Sequence, residues 1–247
     1  KELTLQFDKV AIKELQVTTK EIETAVTAIP TSLKSAILSA AKNIETFHSA
    51  QKRAVEKIET MPGVICWRKA TPIQKVGIYI PGGSAPLFST VLMLAVPARL
   101  ASCEEVILCT PPDKDGNINP AILFAAHLTG VKKIFKVGGA QAIAAMAFGT
   151  ETIPSVSKIF GPGNQYVTKA KQLISQEGIA IDMPAGPSEV LVIADSNATP
   201  AFVAADLLSQ AEHGADSQVV LVTTSSELVA SVAAEIKNLL KEHGDKV

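Results

Sequence analysis

Cysteine, aromatic side chains and long apolar runs are all scarce in this sequence. Aromatic residues make up 4% of the 247 residues, and the 3 cysteines (Cys66, Cys103 and Cys109) show no C-x-x-C spacing. This pattern favours reduced thiols in a cytosolic protein. The longest apolar runs, such as residues 91–98, are well short of the roughly 18 residues of a membrane span, and no secretory signal opens the chain. We therefore expect a cytoplasmic protein without a membrane segment.

Neither sign of charge is in excess. The net charge is −1 and the Lys and Arg residues are scattered, which argues against a nucleic-acid groove. A content of 47% hydrophobic and 19% charged residues indicates a compact soluble protein, long enough for one large or two ordinary domains. The chain begins at Lys1 without Met and stops at Val247, just past a helix-like run. We expect it to be part of a longer protein.

From residue 75 onwards, strand-like runs alternate with helix-like runs. Strands are predicted at residues 75–80, 105–110, 133–137, 158–160, 190–195 and 218–224, each followed by a helix. A helical stretch over residues 18–53 precedes them and is interrupted near Pro30. A hairpin-like stretch follows it, in which residues 64–68 alternate and residues 75–80 then run as a buried strand. Strands that alternate with helices of about 10 to 15 residues are typical of βαβ units. The sequence therefore predicts an α/β fold with a parallel sheet.

Glycine turns follow three of the predicted strands, at residues 82–83, 138–139 and 161–163. The carboxyl ends of parallel strands meet at one edge, where open α/β sheets bind ligands, often with an anionic group at a helix N-terminus. Any single glycine pair could instead serve only a tight strand-to-helix turn, but three on one edge favour a nucleotide-sized ligand. The G-x-G-x-x-G fingerprint is missing, so a dinucleotide would have to bind in another way.

Gln210 and His213 stand three residues apart at the end of a predicted helix, with Asp206 one turn back. This spacing places their side chains on one face, as two ligands of a metal ion would require. Zinc, however, needs three or four ligands. The alternative is a polar helix end, with His213 near the C-terminal dipole and Gly214 as the cap. The pattern by itself leaves both interpretations open.

Five segments occur in an order that narrows the choice: residues 77–83 (GIYIPGG), 137–142 (VGGAQA), 159–164 (IFGPGN), 182–189 (DMPAGPSE) and 208–214 (LSQAEHG). Together they resemble the histidinol dehydrogenase family, and the resemblance runs from about Phe7 to the end of the chain. It implies oxidation of L-histidinol through L-histidinaldehyde to L-histidine, the last step of histidine biosynthesis, with NAD and zinc as cofactors. It also implies an intertwined homodimer whose two larger domains have incomplete Rossmann-like folds.

The resemblance further implies roles for individual residues. Tyr79, Gln141 and Asn164 match positions that contact NAD+ in the family. All three lie at the ends of predicted strands, at the edge where the glycine turns also lie. We therefore expect the cofactor to lie across these strand ends.

The substrate and metal positions come from the same resemblance. Ser188 matches a substrate-contacting serine, and Gln210 and His213 match two zinc ligands that also lie beside the bound histidinol. In such a site zinc orients the substrate, a base removes the hydroxyl proton, and hydride leaves for the nicotinamide. The family's other two zinc ligands and its catalytic Glu-His pair lie beyond Val247. We therefore expect no catalytic residue in this chain, and an inactive chain on its own.

The remaining histidines are not expected to replace those ligands. His48 lies in the first helical region, His127 inside an apolar helix where a core histidine is expected, and His243 in a charged tail. Two rival functions remain. An aldehyde dehydrogenase-like protein would need a thiol nucleophile, for which Cys109 is the candidate, and a non-catalytic module would carry only nucleotide or dimer contacts.

The predicted domain organisation is discontinuous. Residues 75–195 are expected to form an inserted, NAD-binding Rossmann-like domain. Residues 1–74 and 196–247 are expected to join as a second, incomplete α/β domain. The boundaries are placed at the hairpin-like segment and at the Asp195-Ser196-Asn197 loop.

Overall fold

The computed structural model describes residues 1–82, 86–184, 189–212 and 217–243. The chain divides into two compact units, Lys1–Ala185 and Gly186–Val247. Each unit buries a hydrophobic core of its own.

The first unit begins with three helices and a hairpin and continues as alternating strands and helices. In chain order its elements are α1 (Glu2–Asp8), α2 (Thr19–Ala28), α3 (Thr31–Ser49), β1 (Lys57–Met61), β2 (Val64–Trp67), β3 (Lys75–Tyr79), α4 (Phe88–Leu100), β4 (Glu105–Thr110), α5 (Pro120–Thr129), β5 (Lys133–Lys136), α6 (Gly139–Phe148), β6 (Lys158–Phe160), α7 (Gln165–Gln176) and β7 (Ala180–Ile181). Strands β1 and β2 form an antiparallel hairpin, and β3 to β7 form one sheet. The hairpin expected from residues 64–68 and 75–80 is therefore wrong, because β2 pairs with β1 and β3 pairs with β4 and β6.

The five-stranded sheet is parallel throughout, with the order β5-β4-β3-β6-β7. Counted from its first strand, this is the order 3-2-1-4-5, which matches the first five strands of a Rossmann fold. The chain reverses direction across the sheet between β3 and β6. Such a switch point leaves a crevice at the carboxyl ends of the two central strands. The predicted α/β class with a parallel sheet is confirmed.

Both faces of this sheet are covered by helices. Alternate residues of the central strands enter different core clusters: Ile78, Leu108 and Ile134 pack with α2 to α5, whereas Tyr79 and Phe135 pack with α6 and α7. The period-2 alternation of a strand produces this division. Strands buried on both faces are also nearly continuous apolar runs, as these are.

Local signals set the helix limits. The Asn119 side chain accepts a hydrogen bond from the N–H of Ala121 at 2.9 Å, Pro120 occupies the first helical position, and Gly130 ends α5 at φ 83°. These are the residues that favour each position. The predicted interruption near Pro30 is also confirmed, since α2 ends at Ala28 and α3 begins at Thr31.

The second unit contains β8 (Glu189–Ala194), α8 (Pro200–Ala211), β9 (Gln218–Thr223) and α9 (Ser226–His243). Strands β8 and β9 pair in parallel over their full length. Their inward residues pack on a small core formed by the two helices. Leu191 and Ile193, on the opposite face of β8, are exposed.

The contacts within the chain differ from the predicted domain division. Residues 189–194, expected in the inserted domain, pair instead with Gln218–Thr223. Helices α2 and α3, expected outside that domain, pack on the five-stranded sheet through residues such as Ala25 and Ile37. The apolar stripes of these two helices face the sheet of their own unit, and β8 finds its hydrogen-bond partner in β9.

None of the helices in the described part of the chain combines the length and the apolar composition that a membrane crossing requires.

Candidate cofactor site

Tyr79 is the last residue of β3 and lies at the switch point of the sheet. Its side chain is 4% exposed, and its hydroxyl oxygen accepts a hydrogen bond from the N–H of Gly139 at 3.0 Å. Burial raises the pKa of the Tyr79 hydroxyl and the charge of Asp8 adds to the rise, while the Gly139 hydrogen bond opposes it. The hydroxyl is therefore protonated at neutral pH. Because its oxygen accepts from Gly139, its own proton is available to a further acceptor.

Gln141 lies in the first turn of α6, directly after the Gly138-Gly139 turn. A Cβ atom built on Gly139 would lie 2.8 Å from Oε1 of Gln141, and Gly139 has φ 69°. The Gln141 side chain therefore lies over the start of its own helix, beside Gly139, whose N–H donates to Tyr79. The structure thus brings Tyr79 and Gln141 together through Gly139.

The ring of Pro111 leaves no room for a side chain at Gly82 or Gly138. A Cβ atom at Gly82 would lie 2.6 Å from Cγ of Pro111, and one at Gly138 would lie 2.5 Å from its Cβ. Pro111 follows β4, between the ends of β3 and β5. Gly82 and Gly138 are thus needed for packing on this ring, in addition to any ligand.

Asn164 caps α7 at the end of the third glycine turn. Its Oδ1 accepts hydrogen bonds from the N–H groups of Tyr166 and Val167, both at 3.1 Å, and the residue is exposed. With Oδ1 engaged in the cap, the amide Nδ2 is the part of this side chain that a ligand would meet. Asn164 follows β6, which pairs with β3.

Gly161 connects this turn to Tyr79. It has φ 125°, and a Cβ atom at this position would lie 2.1 Å from the carbonyl oxygen of Tyr79. Only glycine fits such a close approach in this conformation. The Gly161 N–H donates to Oδ2 of Asp182 at 2.8 Å, and its carbonyl accepts from Nζ of Lys171 at 2.9 Å.

Lys171 and Asp182 form an ion pair beneath this turn that the sequence analysis did not identify. Lys171 is 3% exposed and shares the buried stripe of α7 with Val167 and Ile174. A lysine at a core-facing position of an amphipathic helix needs a buried partner. The place of Lys171 between Val167 and Ile174 in the apolar pattern of α7 was therefore the sequence signal for this ion pair.

Asp8, at the end of α1, was also missed. Its Oδ2 is buried and finds no hydrogen-bond partner among the described residues. Burial raises the pKa of the Asp8 carboxyl group. Its charge acts on Tyr79, so a carboxylate belongs to the surroundings of the candidate site.

The predicted metal and substrate residues are only partly described. Gln210 lies near the end of α8 in the second unit, and its Nε2 is buried without a partner among the described residues. Ser188 and His213 lie outside the described residues. Within the described ranges, no three His, Cys, Asp or Glu residues are grouped as a metal site. One neutral amide does not amount to a zinc site.

The other candidate side chains have ordinary surroundings. Cys109 lies in the core of β4 at 0% exposure, and burial raises the pKa of its thiol, which is the opposite of what a nucleophile needs. His127 is exposed on α5, so it is not the core histidine that we expected. His48 is half-buried, with Nδ1 2.8 Å from Oε1 of Gln51.

The strand order and the residues at the switch point define a Rossmann-like α/β unit, a class that binds nucleotides at this edge. The family model of histidinol dehydrogenase matches residues 1–246. The chain belongs to the histidinol dehydrogenase family.

Individual relatives support the same family assignment. The histidinol dehydrogenase of Bacteroides thetaiotaomicron is 67% identical over 234 residues, which cover 95% of this chain and 55% of the relative. The crystal structure of histidinol dehydrogenase from Elizabethkingia anophelis superposes with a TM-score of 0.93 at 59% identity, covering 98% of this chain and 56% of that one. The chain therefore spans about half the length of the relatives that it matches.

A more distant likeness concerns the fold alone. Succinate-semialdehyde dehydrogenase from Burkholderia pseudomallei superposes with a TM-score of 0.61 at 12% identity, covering 90% of this chain and 49% of that one. This chain thus shares its fold with an aldehyde-oxidising dehydrogenase. The buried Cys109, however, is unsuited to act as the thiol nucleophile that an aldehyde dehydrogenase-like protein would need.

Proposed function

We propose that this chain is the NAD-binding, N-terminal part of a zinc-dependent dehydrogenase that oxidises L-histidinol through L-histidinaldehyde to L-histidine, in the last step of histidine biosynthesis. The observation that carries the proposal is family membership over residues 1–246. The proposal includes a cytoplasmic homodimer, which rests on the resemblance to the family.

The proposed NAD+ site lies at the carboxyl ends of β3, β5 and β6, beside Tyr79, Gln141 and Asn164. Its support is the switch point between β3 and β6, together with the side chains found there. Among the described residues, each of the three side chains has a polar group left for a ligand: the Tyr79 proton, the Gln141 amide and Nδ2 of Asn164. Bound NAD+ supplies the hydride acceptor.

The residues of this chain would bind and orient that cofactor. The Gly139 hydrogen bond fixes the direction of the Tyr79 hydroxyl, and the two bonds to the α7 N-terminus fix the Asn164 side chain. Such preorganised donors spare the entropy that ordering would cost on binding. Burial keeps the Tyr79 hydroxyl a donor at neutral pH by raising its pKa.

Zinc and substrate belong to the proposal for the longer protein. Gln210 and His213 are proposed as two zinc ligands that also contact histidinol, and Ser188 as a further substrate contact. The described donor set, Gln210 alone, does not fit zinc, so no catalytic step is assigned to the metal in this chain. The remaining ligands and the catalytic base are proposed to come from residues absent here, which leaves the 247 residues inactive alone.

Two measurements test this function. NAD+ titration of the chain, followed by amide chemical shifts, should show binding that Gln141→Ala and Asn164→Ser weaken. Serine keeps an acceptor for the helix cap but lacks the amide, so the second variant separates cofactor contact from folding. Asn43→Ala, at an exposed position of α3, is the matched control. Unchanged affinity in both site variants would contradict the proposed placement.

The second measurement concerns activity. A longer protein that includes this chain should reduce NAD+ when given L-histidinol, and the 247 residues should not. NADH absorbance reports the difference. Histidinol oxidation by the chain alone would show that its own residues complete the active site.

A further inference from the structure

We propose that the Lys171–Asp182 ion pair is a positioning element for NAD+, because it holds the Gly161 peptide groups and thereby the 161–164 turn that carries Asn164. This inference rests on the proposed cofactor site. Neither residue is assigned a contact with the cofactor itself.

The geometry is a closed set of three partners. Asp182 accepts from the Gly161 N–H at 2.8 Å, Lys171 donates to the Gly161 carbonyl at 2.9 Å, and Lys171 also pairs with Asp182. Both polar backbone groups of one glycine are therefore fixed by one ion pair. Because the two peptide planes flanking Gly161 are both held, its φ and ψ are held as well.

Gly161 is the residue whose conformation matters most in this turn. Its backbone lies against the Tyr79 carbonyl, and its φ of 125° is open to glycine and to few other residues. Glycine is also the residue with the most conformational freedom to lose, so an external restraint has a large effect here. The restraint acts where the turn leaves β6, three residues before Asn164.

The pair connects three elements at the switch point. Lys171 lies in the second turn of α7, Asp182 directly follows β7, and Gly161 directly follows β6. The helix that Asn164 caps is therefore tied to the turn that precedes it. A shift of the turn would move the Asn164 amide, and small misplacements of positioning groups have large effects on a bound ligand.

Stability alone does not account for this pair. A buried ion pair loses much of its attraction to desolvation and is often matched by apolar residues of similar volume. At position 171 an apolar side chain would continue the stripe of Val167 and Ile174. What an apolar residue cannot do is donate to the Gly161 carbonyl.

The test compares NAD+ affinity with local order in the 247-residue chain. Lys171→Met removes the ammonium group, and Lys171→Met with Asp182→Asn removes both charges. The double variant avoids an uncompensated, partly buried carboxylate, so it keeps the test available where the single variant does not fold. Lys133→Met is the control, because it removes an ion pair with Glu105 at the amino ends of the strands.

Both Lys171 variants should raise the NAD+ dissociation constant at least tenfold at a temperature where every variant is folded. Amide hydrogen exchange at Gly161 should accelerate at least tenfold, while exchange at Leu108 in β4 changes by less than threefold. Lys133→Met should change the affinity less than twofold. If the ion pair only stabilised the fold, its loss would accelerate amide exchange at Leu108 as much as at Gly161.

Affinity within twofold of the wild type in a folded Lys171 variant would overturn the inference. So would unchanged exchange at Gly161. If the wild-type chain itself fails to bind NAD+, the proposed cofactor site falls, and the Gly161 exchange still decides whether the ion pair orders the turn.

Discussion

The N–H of Gly139 donates to the hydroxyl of Tyr79 at 3.0 Å, across the end of the strand that separates them. Tyr79 ends β3 and Gly139 follows β5, and β4 lies between those two strands. With neighbouring strands about 4.8 Å apart, the tyrosine side chain and its hydrogen bond to Gly139 together span roughly two strand spacings. It thereby ties the start of α6 to the switch point.

Tyr79→Phe should lower the free energy of unfolding by about 1 kcal/mol, because the Gly139 N–H loses a partly buried partner. Urea denaturation measures the change. Tyr166→Phe removes the hydroxyl from a 68% exposed tyrosine and should stay within about 0.5 kcal/mol of the wild type. Equal effects in the two variants would show that the Gly139 hydrogen bond contributes nothing to stability.

The sequence predicted this architecture wherever local chemistry decides it. Helix α5 has a capping asparagine, a first-turn proline and a terminal glycine, and its limits follow from these three residues. The two-residue strand β7 and the helix α1 carry no comparable pattern, so neither was predicted. Strand partners are set by tertiary contacts, and for that reason no local pattern indicates the pairing of β8 with β9.

In the candidate site, too, local sequence patterns predicted some features, whereas others depend on tertiary packing. Residues at strand ends could be selected from sequence because parallel strands end at one edge. The bond between Tyr79 and Gly139 depends on strand order, which no local pattern encodes. The pairing of Lys171 with Asp182 likewise depends on how α7 packs. Contacts of Tyr79, Gln141 and Asn164 with NAD+ stay a prediction.

Gly161→Ala should be among the most damaging single substitutions in the first unit. The added Cβ atom would lie 2.1 Å from the Tyr79 carbonyl oxygen, at φ 125°. Strain and overpacking together predict a loss of roughly 2–5 kcal/mol. Gly130→Ala is the matched control, since Gly130 has φ 83° with nothing within 4 Å of its Cβ position. It should lose only about 1–2 kcal/mol, and a similar loss at both sites would refute the close approach.

Asp8→Asn should stabilise the chain at pH 7. Burial raises the pKa of the Asp8 carboxyl group above its unfolded value, so ionisation of this group costs stability in the folded state. That cost is absent below an unfolded pKa of about 3.9 and grows as the pH rises through the folded pKa. The advantage of the variant should therefore shrink on acidification and vanish below about pH 4.

Thermal unfolding at a series of pH values measures the Asp8 effect. Asp115→Asn, at an exposed aspartate in the loop before α5, is the control and should give a difference within about 0.5 kcal/mol throughout. An Asp8 variant less stable than the wild type at pH 7 would mean that the ionised carboxylate has a favourable partner.

Cys109 should resist modification in the folded chain. Its side chain is fully buried, and burial raises the pKa of its thiol, whereas Cys66 is exposed. A disulfide reagent such as Ellman's should label Cys66 first and reach Cys109 only on unfolding, which mass spectrometry of the peptides resolves. Rapid labelling of Cys109 in the native chain, with Cys66→Ser as the background, would revive the thiol mechanism.

Zinc binding by the isolated chain should be weak, for a reason that follows from its donors. A structural zinc site contributes about 10–16 kcal/mol and uses three or four protein ligands. The described part of the chain offers Gln210 at the proposed position and no group of three His, Cys, Asp or Glu residues. Even with His213, one amide oxygen and one imidazole fall short of that number.

Calorimetric titration with zinc decides the point. We expect no tight stoichiometric binding, and Gln210→Ala and His213→Ala should leave the isotherm unchanged. His48→Ala controls for adventitious binding at the half-buried His48. Tight binding that both Gln210→Ala and His213→Ala abolish would show that further ligands come from within these 247 residues. The part of the relatives that this chain does not cover would then not be needed to form the metal site.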